Sequence, residues 1–198
     1  MELSVSGMRA LHAKRLFAAG ALAVCLWLGG TGTAGGKGDA QVTRAELIVL
    51  SKTASVQEDI PWEVIYAICM TESSGNEFAI RHEAHYRWTV GDNLDLGERL
   101  GQKTSWGLMQ VMGAVAREYG FAGQFSGLWD PQTNMVYGVK HLKKLKARHG
   151  TWPHAIAAYN AGTPILTEGK YKNQQYVDKV LANWTAVESQ VPLKASEA

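Results

Sequence analysis

The chain has 198 residues, with 20 Lys plus Arg against 18 Asp plus Glu, 46% hydrophobic residues and two cysteines. That length suits one globular domain, and the apolar content can bury a core, which excludes wholesale disorder. A net charge of +2 is too small to imply nucleic-acid binding, and two cysteines cannot build a dense disulfide scaffold.

Residues 1–34 present, in order, a basic stretch with Arg9, Lys14 and Arg15, an apolar run from Leu16 to Leu28, and the small-residue segment Gly29-Gly-Thr-Gly-Thr-Ala34. That order predicts a secretory signal peptide, cleaved near Ala34 or, alternatively, near Ala40. The apolar run falls short of the ~20 residues a spanning helix needs, which weighs against a retained membrane anchor. Val24 is too bulky for the position before a lipid-modified cysteine, which weighs against a lipoprotein at Cys25. Cleavage at Ala34 turns 20 basic and 18 acidic residues into 17 and 17 and leaves Cys69 as the single thiol. A periplasmic or secreted protein without an internal disulfide or a stable membrane anchor is expected.

After a linker over 35–43, the periodicity is helical over 44–188, and residues 189–198 are expected to form a flexible tail. Fold class is therefore all-α or nearly so. The first helix spans roughly Arg44 to Ser55. The acidic pair Glu58-Asp59, followed by Pro61, is expected to open a second helix that runs to Ser73. Residues 75–105 have no clean period, and a segment that long in a compact domain is often functional. A third helix is expected from Gly107 to Gly120, with Leu108, Val111, Met112, Val115 and Tyr119 as its stripe. Asp130-Pro131 caps a long helix to Gly150 with Met135, Val139, Leu142 and Leu145 inward and Lys140, Lys143, Lys144 and Arg148 as a solvated basic face. Trp152-Pro153 opens a short helix closed by Gly162, and Tyr176 to Val187 marks the last.

The main chemical clue is a carboxylate on an apolar face. Ile65, Ile68, Cys69 and Glu72 follow the spacing of one side of a helix. A carboxylate held there loses hydration, which raises its pKa and suits it to act as a general acid at neutral pH. At the end of its helix, Glu72 could equally turn to solvent. Two further segments carry sugar-compatible chemistry. Ser105-Trp-Gly-Leu-Met-Gln-Val-Met112 places the amide of Gln110 beside Met109 and Met112, at an expected helix start with free backbone amides. Ala157-Ala-Tyr-Asn-Ala-Gly162 places a phenol and a carboxamide at a helix end. Aromatic faces pack on the C–H surface of a sugar, and amides bond hydroxyl and N-acetyl groups.

Together, Glu72-Ser73, Gly107-Leu-Met-Gln-Val-Met112, Asp130-Pro with Asn134 and Gly138, and Ala158-Tyr-Asn-Ala-Gly162 resemble the lytic transglycosylase SLT domain, which is similar to goose-type lysozyme. The resemblance covers about residues 44–165. It implies a lysozyme-like helical domain that cleaves the β-1,4 bond between N-acetylmuramic acid and N-acetylglucosamine in peptidoglycan glycan strands. It further implies Glu72 as the single catalytic acid and base, Ser73 following it in the family pattern, Gln110 and Met112 lining the sugar subsites, and Tyr159 with Asn160 closing the site. No metal or cofactor is implied.

One departure stands out. Glu72 and Gly107 are 35 residues apart, where typical members of the family have about 20 to 30. The extra segment contains Arg81-His-Glu-Ala-His-Tyr-Arg-Trp88, Asp92 and Asp95, which could extend a glycan groove, dock a partner or add a second carboxylate. A second carboxylate would permit hydrolysis, as in a lysozyme-type muramidase. Without one, the 6-hydroxyl of the muramic acid serves as an intramolecular nucleophile and gives a 1,6-anhydro product. His82-Glu-Ala-His85 is one residue short of the H-E-x-x-H zinc motif, and Cys69 on an apolar face suits packing better than nucleophilic catalysis. A non-catalytic peptidoglycan-binding scaffold is the remaining rival, but it would not need the intact set of Glu72, Gln110, Tyr159 and Asn160. The size is compatible both with local wall opening for an envelope-spanning secretion or conjugation apparatus and with general wall turnover.

Overall fold

The computed structural model describes residues 41–190; the predicted signal peptide, most of the linker and the last residues of the predicted tail lie outside that range. Among the described residues the fold is mainly helical, with a few short strands, and no helix is long and apolar enough to cross a membrane.

Helix α1 (Arg44–Glu58) begins at a capping box: the Thr43 side chain accepts from the Glu46 amide, and the Glu46 carboxylate accepts from the Thr43 amide at 2.8 Å. It runs past the expected Ser55. Glu58 is its last residue and Asp59 its left-handed cap at φ 55°, so the acidic pair closes α1 instead of opening the next helix. Pro61 then caps α2 (Trp62–Glu72). Six consecutive residues of α2, Val64 to Cys69, are buried, as expected of a helix enclosed on all sides. It packs between α1 and the last helix, α7 (Gln174–Glu188). Burying side chains such as Ile65 and Ile68 contributes about 1.5–3 kcal/mol each, which makes α2 the central pillar of the core.

The aperiodic 75–105 segment holds strand β1 (Ile80–His82) and helix α3 (Leu96–Gln102), which Asp95 caps by accepting from the Glu98 amide at 2.8 Å. Strands β2 (Thr104–Trp106) and β3 (Val111–Met112) join β1 in an antiparallel sheet of order β1-β2-β3, with Arg81 opposite Ser105 and Ser105 opposite Met112. The expected helix from Gly107 is thus corrected. Residues 107–110 form a turn between two strands, and α4 (Gly113–Glu118) starts only at Gly113. The apolar spacing of Leu108, Val111 and Met112 arises from burial in a turn and a strand. Periodicity over so short a run cannot separate these from a helix.

The three helices expected in the C-terminal half match the structure, although Arg148 of the expected solvated face lines the cleft and a short hairpin not expected from the sequence precedes the last helix. Asp130 caps α5 (Pro131–His149) by accepting from the Thr133 amide at 2.7 Å, Pro131 stands at its first position, and Gly150 closes it at φ +79°. Met135, Val139, Leu142 and Leu145 face the core. Thr151 caps α6 (Trp152–Ala161), which ends at Gly162. A two-stranded hairpin, β4 (Leu166–Thr167) and β5 (Lys170–Tyr171), leads into α7. Helix α5 packs on α1 and α6, and α6 packs on α7.

Candidate active site

Glu72 is the last residue of α2, half-buried in a cleft of about 640 Å³. Its lining includes Arg81, Glu83, Tyr86 and Trp88 of the 75–105 segment, His141 and Arg148 of α5, and Asn160 to Thr163 at the end of α6. Loss of hydration raises the Glu72 pKa above the ordinary carboxyl range. A hydrogen bond from the Tyr176 hydroxyl to Glu72 Oε1, at 2.7 Å, works against that rise, as do the more distant Arg81 and Lys179, while Glu83 adds to it. Among the described residues, Oε2 has no hydrogen-bond partner. The carboxyl is thus held by one oxygen and leaves the other for a ligand.

What fixes Glu72 is the turn behind it. Three side chains from separate stretches converge on residues 107–110, and a fourth, that of Gln110, belongs to the turn itself. Ser73 Oγ donates to the Leu108 carbonyl at 2.8 Å and ties the end of α2 to the turn. Asn134, fully buried on α5, accepts from the Met109 amide at 2.8 Å and donates to the Trp106 and Leu128 carbonyls at 2.7 and 2.8 Å. The Tyr159 hydroxyl donates to the Met109 carbonyl at 2.9 Å. The Gln110 amide donates to the Ala79 and Gly107 carbonyls at 3.1 and 3.0 Å and accepts from Ser105 Oγ at 3.0 Å. Gln110 sits at φ 48°, a left-handed conformation that costs ~1 kcal/mol or more and persists only when its surroundings over-determine it.

Two glycines let the elements close. Gly107 lies at φ +70°, and a Cβ there would stand 2.5 Å from the Leu128 carbonyl. At Gly138 a Cβ would stand 2.5 Å from Met109 Sδ, so the absence of a side chain there leaves room for Met109 against α5.

The structure therefore gathers Glu72, Ser73, Gln110, Met112, Tyr159 and Asn160 around one cleft and one turn, but their tasks differ. Glu72, Gln110, Met112, Tyr159 and Asn160 line the cleft. Ser73, Gln110 and Tyr159 spend their polar groups on the turn, and the amides expected to be free are also taken: Met109 N by Asn134, Gln110 N by the Gly107 carbonyl at 3.1 Å. Asn160 is exposed, its carbonyl accepting from Asn173 at 3.0 Å. Of the three acidic residues singled out in the long segment, Glu83 lines the cleft, paired with Arg81, whereas Asp95 is occupied in capping α3 and Asp92 does not line it.

Two site residues escaped sequence reasoning. Tyr176 counted only as part of the apolar stripe of α7, and nothing in the local sequence indicates that its hydroxyl reaches a residue 104 positions away. His141 lies between Lys140 and Leu142 on an otherwise basic helix; burial, with Lys144 nearby, lowers its pKa to about 4, so it lines the cleft as a neutral ring 5.6 Å from that of Tyr159. Cys69 is a fully buried thiol whose pKa is pushed up by desolvation, as suits inert packing. Among the described residues, no group of three or more His, Cys, Asp or Glu side chains is gathered as a metal-ligand set would be.

Comparison with known proteins places this arrangement. The Transglycosylase SLT domain family matches residues 49–181, a stretch that includes Glu72, the 107–110 turn, Asn134, Tyr159 and Tyr176. The chain is also similar to a protein named Transglycosylase from Enterobacteria phage PRD1, with 29% identity over 130 residues that make up 66% of this chain and 40% of that one. It thus spans about two fifths of that relative's length. No solved structure matches. With two thirds of its residues covered by one family and the motif residues converging on one turn, the chain belongs to the Transglycosylase SLT domain family.

Proposed function

We propose that the protein is an exported peptidoglycan lytic transglycosylase that cleaves the β-1,4 bond between N-acetylmuramic acid and N-acetylglucosamine, with Glu72 as its single acid and base. The observation that carries this reading is the environment of Glu72: desolvated, with a raised pKa, one oxygen held by Tyr176 and the other without a protein partner. The neutral carboxyl protonates the glycosidic oxygen as the C1–O bond breaks. The resulting carboxylate accepts the proton of the muramic acid 6-hydroxyl as that oxygen bonds to C1. The ring closes as a 1,6-anhydro sugar, Glu72 regains its proton, and no water is consumed. Holding nucleophile and C1 in one sugar replaces the second carboxylate of a hydrolase, because an intramolecular nucleophile has a very high effective concentration. Tyr176 keeps its proton throughout, since burial and the neighbouring Glu72 raise its pKa, so it steadies the carboxylate as a permanent donor.

Glu83 shares the cleft, but its pairing with Arg81 on an exposed strand favours the anhydro route over hydrolysis. The signal-like order of residues 1–34 supports export to where peptidoglycan lies. Purified peptidoglycan digested with the protein, followed by mass spectrometry of the muropeptides, tests the reading. Anhydro ends that disappear with Glu72→Gln are expected. Reducing ends would make the protein a muramidase, and intact strands in the presence of folded protein would leave a binding scaffold.

A further inference from the structure

Trp88 is 71% exposed, yet it lines the same cleft as Glu72 and stands edge-on to half-buried Tyr86, with ring centroids 5.5 Å apart. An exposed indole is ordinarily carried on mobile chain; this one is carried on backbone pinned at both ends. At one end the Glu83 amide donates to the Lys103 carbonyl at 2.7 Å and the Tyr86 amide to the Glu83 carbonyl at 2.9 Å. At the other, Gln102, 1% exposed, grips Val90 twice, accepting from its amide at 2.6 Å and donating to its carbonyl at 2.8 Å. Gln102 also donates to Glu98 at 3.0 Å, and Glu98 takes two guanidinium nitrogens of Arg117 on α4 at 2.7 and 2.9 Å. A buried amide and a two-point ion pair thus anchor the segment to α3 and α4. Side chains fixed in advance lose little entropy on binding, so an exposed aromatic on a fixed support has the character of a recognition platform.

We propose that Tyr86 and Trp88 form an additional sugar subsite of the cleft, in which the indole face of Trp88 takes the C–H face of an N-acetylhexosamine ring away from the scissile bond. This rests on the glycan-cleaving reading above and deepens it: the long 75–105 segment makes the protein selective for longer strands. The cleft is continuous from Glu72 to Trp88, so a strand seated over the acid continues onto the indole. The half-buried Tyr86 ring packs against the indole in a T-shaped pair, and the 71% exposure of Trp88 leaves indole surface free for a ligand.

The test uses the full chain carrying Glu72→Gln, which binds without turnover, and peptide-free glycan strands released from peptidoglycan, as tetrasaccharides and octasaccharides, with calorimetry as readout. Octasaccharide is expected to bind more tightly than tetrasaccharide. Trp88→Ala is expected to weaken the octasaccharide by about tenfold, to leave the tetrasaccharide unchanged, and to melt like the parent; Trp88→Phe restores part of the loss. Equal affinity for the two lengths, an octasaccharide indifferent to Trp88→Ala, or an effect seen only with peptide-bearing strands overturns the subsite. The catalytic reading fails separately: a parent chain that leaves peptidoglycan uncut while its Trp88-dependent length preference persists would refute the enzyme and keep the subsite.

Discussion

The two walls of the cleft are built by opposite means. Behind Glu72, the 107–110 turn is closed by Ser73, Asn134, Tyr159 and Gln110, whose hydrogen-bonding groups are consumed within the protein. The neighbouring 80–90 segment, whose first strand pairs with the strand leading into that turn, instead carries Arg81, Glu83 and Trp88 at the surface of the cleft. Residues that look like sugar ligands in the sequence thus spend their polar groups on the frame beside Glu72. The subsite proposed at Trp88 would put recognition on the segment whose side chains stay free.

Substitutions can sharpen or break this contrast. Removing the acid itself should have the largest effect. Glu72→Gln is expected to lower peptidoglycan cleavage about a thousandfold, measured as anhydro-muropeptide release. The fold should persist, and the sign of the linkage can be checked. Burial raises the folded pKa above the unfolded one, so this carboxyl stabilises the fold most while protonated, and that contribution is lost as pH rises through the folded pKa. Gln is neutral at every pH, so the melting temperature of the variant at pH 7 should equal or exceed that of the parent, the difference vanishing below about pH 4.

Next comes the frame. Asn134→Ala leaves the Met109 amide and the Trp106 and Leu128 carbonyls without partners in the core, and about 3 kcal/mol of stability should be lost in urea unfolding. An equally stable variant would show that the turn holds itself and that Asn134 serves another purpose.

A smaller change is expected at the link between α7 and the acid. Tyr176→Phe removes the hydroxyl that donates to Glu72 Oε1 and should slow cleavage about tenfold, the worth of one charge-assisted hydrogen bond. Because that bond favours the carboxylate, its loss raises the Glu72 pKa further. Activity, which needs the protonated acid, should then fall off at higher pH in the variant than in the parent. A limb that stays in place or moves to lower pH would remove Tyr176 from the proton chemistry.

The smallest effect belongs to the outer wall. Its Arg81–Glu83 pair is exposed, and such pairs contribute about 0–1 kcal/mol. Glu83→Gln should change the cleavage rate by less than about threefold and leave the products anhydro-ended. A collapse in rate or a change to reducing ends would instead make Glu83 a second catalytic carboxylate.

Much of this protein was legible before any coordinates. The cap at Asp130, the terminating Gly150 and Gly162, and the apolar stripes of α2 and α5 are local, because they depend on groups within one or two turns of chain. The same periodicity puts Glu72 in line with the apolar stripe of α2 but leaves open whether its carboxyl turns to solvent; the structure half-buries it. Tertiary structure alone decided three things. It decided that 107–112 is a turn and a strand, because Ser73, Asn134 and Tyr159 from distant segments stabilise a conformation that the local apolar spacing does not encode. It decided that Tyr176 meets Glu72, because that contact follows from how α7 lies along α2. It also decided that Trp88 is a fixed platform, because the buried Gln102 and the Glu98–Arg117 pair that anchor it lie on other elements. Local propensity acts over a few residues, whereas the direction and rigidity of a side chain are set by whatever the folded chain brings against it.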